Sequence, residues 1–218
     1  MYKSRNFTYS WVHQKCRMRR RKWNMNRNQR IVNDFISKKF GEAQTGELEF
    51  YKQNKNDPAE LCHLIGWAIA SNGKTQSHQR RIERETKSNL EQHLLEFYHL
   101  IPSLKNFDEL RELIRMKGIG DLTIYDTADR IGYTFDIHPN KVYIHRGAKI
   151  GAKNLMGPKA VRGRNFLYMH ELPLEFQILT PREVENCLCI YQDSFLTGKL
   201  PNHKVPCSDK HLQIKNPC

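Results

Sequence analysis

Two stripes of apolar side chains at helical spacing, joined through a pair of glycines, restrict this chain more than anything else in it. Phe107, Leu110, Leu113 and Ile114 carry the first stripe; Ile124, Ala128 and Ile131 carry the second, which Gly132 closes. Between them runs Lys117-Gly118-Ile119-Gly120. Two glycines two apart permit positive φ and leave the backbone bare on one side. Ile119 then points inward and locks two helices into a hairpin over residues 107–132. The amides of the turn and of the second helix's start face outward, where they suit one phosphate oxygen, and Lys117 adds charge. A glycine turn in any helical bundle has the same local pattern.

Helical spacing dominates the rest of the chain. Ile31, Val32, Phe35, Ile36 and Phe40 make one stripe that Gly41 is expected to stop, with a short linker after it. Pro58 opens a helix carrying Leu61, Leu64, Ile65 and Ala68. Residues 71–81 are a polar loop by composition. Leu90, Leu94, Phe97, Tyr98 and Ile101 carry a further helix closed by Pro102, and another starts near Pro139 with Tyr143, Gly147 and Ile150. Thr180, Pro181 and Glu183 spell a capping box ahead of Val184, Cys187, Leu188 and Tyr191. No strand alternation and no internal repeat is evident. The expected fold is mainly α: a basic arm over 1–25, a helical domain over 26–196 and an irregular tail over 197–218.

Charge is unevenly placed. The 218 residues carry 36 Lys and Arg against 23 Asp and Glu, a net +13. The first thirty residues hold ten of the basic side chains and no acidic one, so the body is close to neutral. A basic arm on such a body suits a polyanion, nucleic acid first and anionic lipid second; a solvated tail is the plain alternative. Tyr2, Phe7, Tyr9, Trp11 and Trp23 interleave with the arm's charges and fit either stacking on bases or docking onto the body.

No apolar run approaches the roughly 18 residues of a membrane span, and Met1 is followed by polar and basic residues rather than a secretory h-region. The six cysteines form no CxxC pair, which fits reduced thiols without disulfides. Cys187-x-Cys189 would point two thiols to different helix faces. A cytoplasmic, nucleoid-associated monomer without metal or cofactor is expected.

The hydrophobic-x-Gly-hydrophobic-Gly form of residues 116–120 resembles the helix-hairpin-helix DNA-binding motif. The order of helices before the hairpin, the polar loop and the short helix after it is similar to that of helix-hairpin-helix DNA glycosylases, over roughly residues 26–155. The resemblance looks closest to an uncharacterised bacterial branch. It implies a helical bundle that binds DNA, taken as double-stranded, through Lys117, Gly118, Ile119, Gly120 and Thr123. It also implies a loop, here Lys74, His78, Gln79, Arg80 and Arg81, that reaches into the duplex; Gln79 or His78 would fill the space left by an extruded nucleotide.

In that superfamily a catalytic Asp stands just past the second hairpin helix. The family's Val-Asp-Thr-His-Val pattern is not reproduced here: Asp136 lies a few residues early and Asn140 occupies the matching place. Asp136 is expected to enter the pocket between hairpin and polar loop, with Asp126 a second candidate. Asp121, at the start of the second hairpin helix, would repel a phosphate or cap that helix. Lys141, His145 and Lys149, at i, i+4 and i+8, are expected on one helix face, with Lys141 a nucleophile or phosphate contact; His138 and His145 are candidate donors to a leaving base. Leu122 stands where some members carry a Schiff-base lysine, and the iron–sulfur loop of others has no counterpart. The function implied is monofunctional hydrolysis of the N-glycosidic bond of a flipped base, in repair or against phage DNA. A non-catalytic DNA-binding protein and RNA binding through the same hairpin are the alternatives.

Overall fold

A computed structural model of the protein describes residues 26–202; the arm at 1–25 and residues 203–218 of the tail lie outside the described residues. Asn26 accepts the Gln29 amide at 2.8 Å and starts α1 (Arg27–Ser37), whose Ile31, Val32 and Phe35 are buried. Gly41 does not end the helical run. Lys39 takes φ 57°, the axis changes direction, and α2 (Phe40–Gln53) follows at once, so the expected linker is a helix of 14 residues. Asp57 caps α3 (Pro58–Gly66), with Pro58 in its first turn. The polar loop is pinned by a bridge between Ile69 and Thr75 and ends in a single 3-10 turn, Ser77–Gln79. Then come α4 (Arg84–Phe97) and the hairpin pair α5 (Phe107–Ile114) and α6 (Asp121–Thr134).

Beyond α6 the expected helix near Pro139 is replaced by β1 (Val142–Tyr143), which pairs antiparallel with β2 (Phe166–Leu167). The helix α7 (Arg146–Met156) begins only after it and leads into α8 (Pro158–Val161). Lys141 and His145 therefore share no helix face with Lys149: Val142–Tyr143 is strand and His145 is extended, at φ −132° and ψ 154°. The capping box read from Thr180 and Glu183 is present at α9 (Pro181–Ile190), and α10 (Ser194–Thr197) follows. The fold is mainly α. Among the described residues no helix is long and apolar enough to cross a membrane.

The helices build two apolar cores. One gathers Ile31, Phe35, Ala148, Val184 and Leu188 from α1, α7 and α9; the other gathers Leu61, Leu90, Leu110 and Ile124 from α3, α4, α5 and α6. Burying each of the larger of these side chains contributes about 1.5–3 kcal/mol. Two elements join the cores. The helix α2 sends Phe40 into the first and Tyr51 into the second, and β1 sends Val142 one way and Tyr143 the other, as successive strand residues must. Small residues bring α7 onto α9: a Cβ at Gly151 would collide with the Leu188 carbonyl. That close approach sets the start of α7 beside Glu185.

Candidate active site

The corner between α5 and α6 is exposed. Gly118 takes φ 98°, a conformation that L side chains rarely adopt, and a Cβ there would lie 3.2 Å from Thr86 Cγ2. Gly120 caps α6 with an ordinary φ of −95° and open space where a Cβ would be. The amides of Gly118 and Gly120 donate to no acceptor among the described residues. Ile119 packs against the second core, as its spacing predicts. Gly118, Gly120 and Thr123 line a groove of about 780 Å³ together with Arg81, Arg111, Arg146 and Lys149. Lys117 is exposed next to it. Asp121 does not cap α6, a place Gly120 holds; it stands 3.7 Å from Arg115 instead, which offsets its charge.

This groove adjoins a second cavity of about 720 Å³, and His78, Leu122, His145 and Arg146 line both. The cavity lies between the two cores. One face of α6 supplies Leu122, Asp126, Asp129 and Arg130, which follow the helical period. Glu185, Asn186 and Cys189 come from α9, Gln44, Glu47 and Tyr51 from α2, and Lys74, His78 and Arg80 from the polar loop.

Asp126 is held from behind. His78 Nε2 lies 2.7 Å from its Oδ2, and Gln79 Nε2 donates to the same oxygen at 2.9 Å. Its Oδ1 has no hydrogen bond among the described residues. Burial alone would raise this carboxyl, but the bonds from His78 and Gln79 and the charge of Arg130 outweigh it and hold it below the usual carboxylate range. Glu185 behaves oppositely: burial and the charges of Asp126 and Asp129 push it well above that range. Asp129 is lifted by burial and opposed by Arg182, whose Nε lies 2.5 Å from Oδ1. Burial lowers His145. Two carboxyl groups driven apart in one cavity are the usual basis of separate base and acid roles.

Other expected site residues lie elsewhere. Asp136 takes φ 60° and is 70% exposed along its side chain, 3.5 Å from Lys52. It lines neither cavity. The reason is the return of the chain: Ile137 donates to the Gly132 carbonyl, which folds residues 133–139 onto the far end of α6, about 20 Å from Gly120 at 1.5 Å per residue. Asn140 is exposed and lines neither cavity. Lys141 is no cavity nucleophile either, since its Nζ lies 2.6 Å from Asp108 Oδ2 and over the Phe166 ring. Gln79 is 2% exposed and locked between Asp126 and Arg130, so it does not reach out to fill a duplex gap. Only His145 of the four expected catalytic residues enters the cavity. Sequence reasoning missed Glu185; a carboxylate at the edge of the stripe Val184, Cys187, Leu188 was the available signal.

Among the described residues no group of three His, Cys, Asp or Glu side chains is arranged to hold a metal ion. Scanned against protein-family models the chain matches none, and neither a curated protein nor a solved structure is found similar to it.

Proposed function

We propose that the protein is a DNA glycosylase of the helix-hairpin-helix kind, which hydrolyses the N-glycosidic bond of a damaged or modified base swung out of the duplex. One observation carries this reading: the groove along the hairpin amides adjoins the cavity where Asp126, hydrogen-bonded at Oδ2, leaves its Oδ1 without a partner among the described residues. The hairpin amides and the basic side chains of the groove grip the sugar–phosphate strand without reading sequence. The gripped nucleotide then turns into the cavity, whose volume suits a small ligand.

Bond cleavage builds positive charge on the sugar, and a carboxylate beside C1′ stabilises it and orients water. Asp126 takes that role in place of Asp136. It sits in α6 rather than after it, a departure from the family pattern. Water rather than an amine attacks, because Leu122 occupies the position of the lyase lysine. Modification of the substrate base, by damage or by a phage, is the class of lesion the reading covers.

Incubating the purified full chain with end-labelled duplexes, each carrying one modified base, and then heating in alkali tests this. Strand breaks at the modified position are expected. Intact strands together with tight, salt-dependent binding would make the protein a non-catalytic DNA-binding module instead.

A further inference from the structure

The geometry points to Glu185 as the proton donor of the cavity, the group that protonates the departing base; this rests on the glycosylase reading above. Glu185 is 8% exposed and lines the cavity wall contributed by α9. No hydrogen bond to its carboxyl is present among the described residues. His145 Nε2 lies 3.7 Å from its Oε1 and is itself buried without a partner. Buried polar groups are ordinarily paired, so the unpartnered His145 Nε2, with the Glu185 carboxyl beside it on the cavity wall, is a group that the polar edge of a bound base completes.

The groups around Glu185 favour its protonated form. From α6 come Asp126, Asp129 and Tyr125, whose ring lies 4.8 Å from that of His145. His145 comes from the start of α7, and Gln44 and Glu47 reach the cavity from α2. On its own helix Arg182 is taken up by Asp129, and Cys189 is a thiol pushed up to about 11. Arg130, a buried cation of the cavity wall, is held by Gln76 and Gln79, and Lys74, Arg80 and Arg146, which also line the cavity, make no ion pair with Glu185. Apart from His145, no cationic side chain stands within ion-pair distance of Glu185 among the described residues. Its proton persists where Asp126 is already ionised, while the imidazole of His145, kept neutral by burial, is the poorer donor.

The step balances. The Glu185 O–H proton passes to a ring nitrogen of the base, and the C1′–N bond breaks with its electron pair on the base, which leaves neutral. Water held by Asp126 adds to C1′, and the proton it sheds returns to Glu185. The products are one free base and one abasic site.

Single-turnover excision by wild type and Glu185→Gln tests the assignment. The substrates are duplexes with one neutral modified base (hypoxanthine, 8-oxoguanine or 5-hydroxymethylcytosine) or one 7-methylguanine, which is already cationic and leaves without a proton. On neutral bases the variant is expected to lose about 100-fold or more, within the range of general acid catalysis, and on 7-methylguanine less than about 10-fold. The wild-type rate on neutral bases falls as pH rises, a limb the variant lacks. That limb is read on the wild type and does not depend on the variant folding; it also decides the case if only neutral bases are excised. Equal losses on both classes, no loss on either, no alkaline limb, or wild-type excision of the cationic base alone would overturn the donor role while the glycosylase reading stands. Wild type that leaves every duplex intact overturns both.

Discussion

Gln79 donates from Nε2 to Asp126 Oδ2 at 2.9 Å while its Oε1 accepts from Arg130 Nη1 at 3.3 Å. One buried amide from the polar loop thus ties a carboxylate and a guanidinium of α6 into a fixed pair. Gln79→Ala removes a donor that holds the Asp126 carboxyl low, so that carboxyl rises toward its ordinary value. Activity that needs the ionised form then switches on at higher pH than in the wild type. Leaving Arg130 short of an acceptor in a buried site costs about 1–3 kcal/mol. Urea unfolding and a pH–rate profile check the two effects.

The two glycines of the corner separate in their consequences. Gly118→Ala forces a Cβ onto a backbone at φ 98° against Thr86, and costs about 1–2 kcal/mol of stability. Gly120→Ala meets open space at an ordinary φ, so its stability is expected within about 0.5 kcal/mol of wild type. Its methyl group nevertheless projects from the exposed corner that a phosphate would approach. Fluorescence anisotropy with a labelled duplex is expected to give weaker binding on every sequence, because the contact is to phosphate. A Gly120→Ala protein that is stable and binds as wild type does would remove the hairpin from DNA recognition.

Glu185 links stability to pH. Its carboxyl is raised in the folded chain, above the 4.5 that applies when unfolded, by burial and by Asp126 and Asp129. The stability that comes with burying the neutral form is fully present below about 4.5 and is lost as pH rises toward the folded value. Glu185→Gln stays neutral throughout. Its melting temperature relative to wild type is therefore expected to climb between pH 5 and pH 9, read by calorimetry across that range. A constant difference would contradict a protonated Glu185.

Much of the scaffold is legible in the sequence. The stripes of α1, α3 and α5, the capping box of α9 and the glycine corner all follow from spacing, because each has one apolar face and a local stop or start signal. The helix α2 was missed because Gly41 imitates a stop and Gln44 and Glu47 interrupt its cavity face between the buried Phe40, Ala43, Leu48 and Tyr51. Residues 139–145 misled in another way. Pro139 imitates a helix start, but the segment's partner, β2, lies more than twenty residues on, and a two-residue strand leaves no alternation to read. The site is harder still. Asp126 and Glu185 meet only because α6 and α9, far apart in sequence, face one cavity, and spacing along the chain does not carry that relation.

The most direct test of the account compares Asp126→Asn with Asp136→Asn on a duplex that the wild type excises. Asn keeps the shape of each side chain and tolerates the positive φ at position 136. The exposed pair of Asp136 with Lys52 contributes about 0–1 kcal/mol, so its loss leaves the fold intact. The account predicts that Asp126→Asn binds the duplex as wild type does but excises about 100-fold or more slowly, while Asp136→Asn excises within about twofold of wild type. Full activity in Asp126→Asn, or its loss in Asp136→Asn, would contradict it.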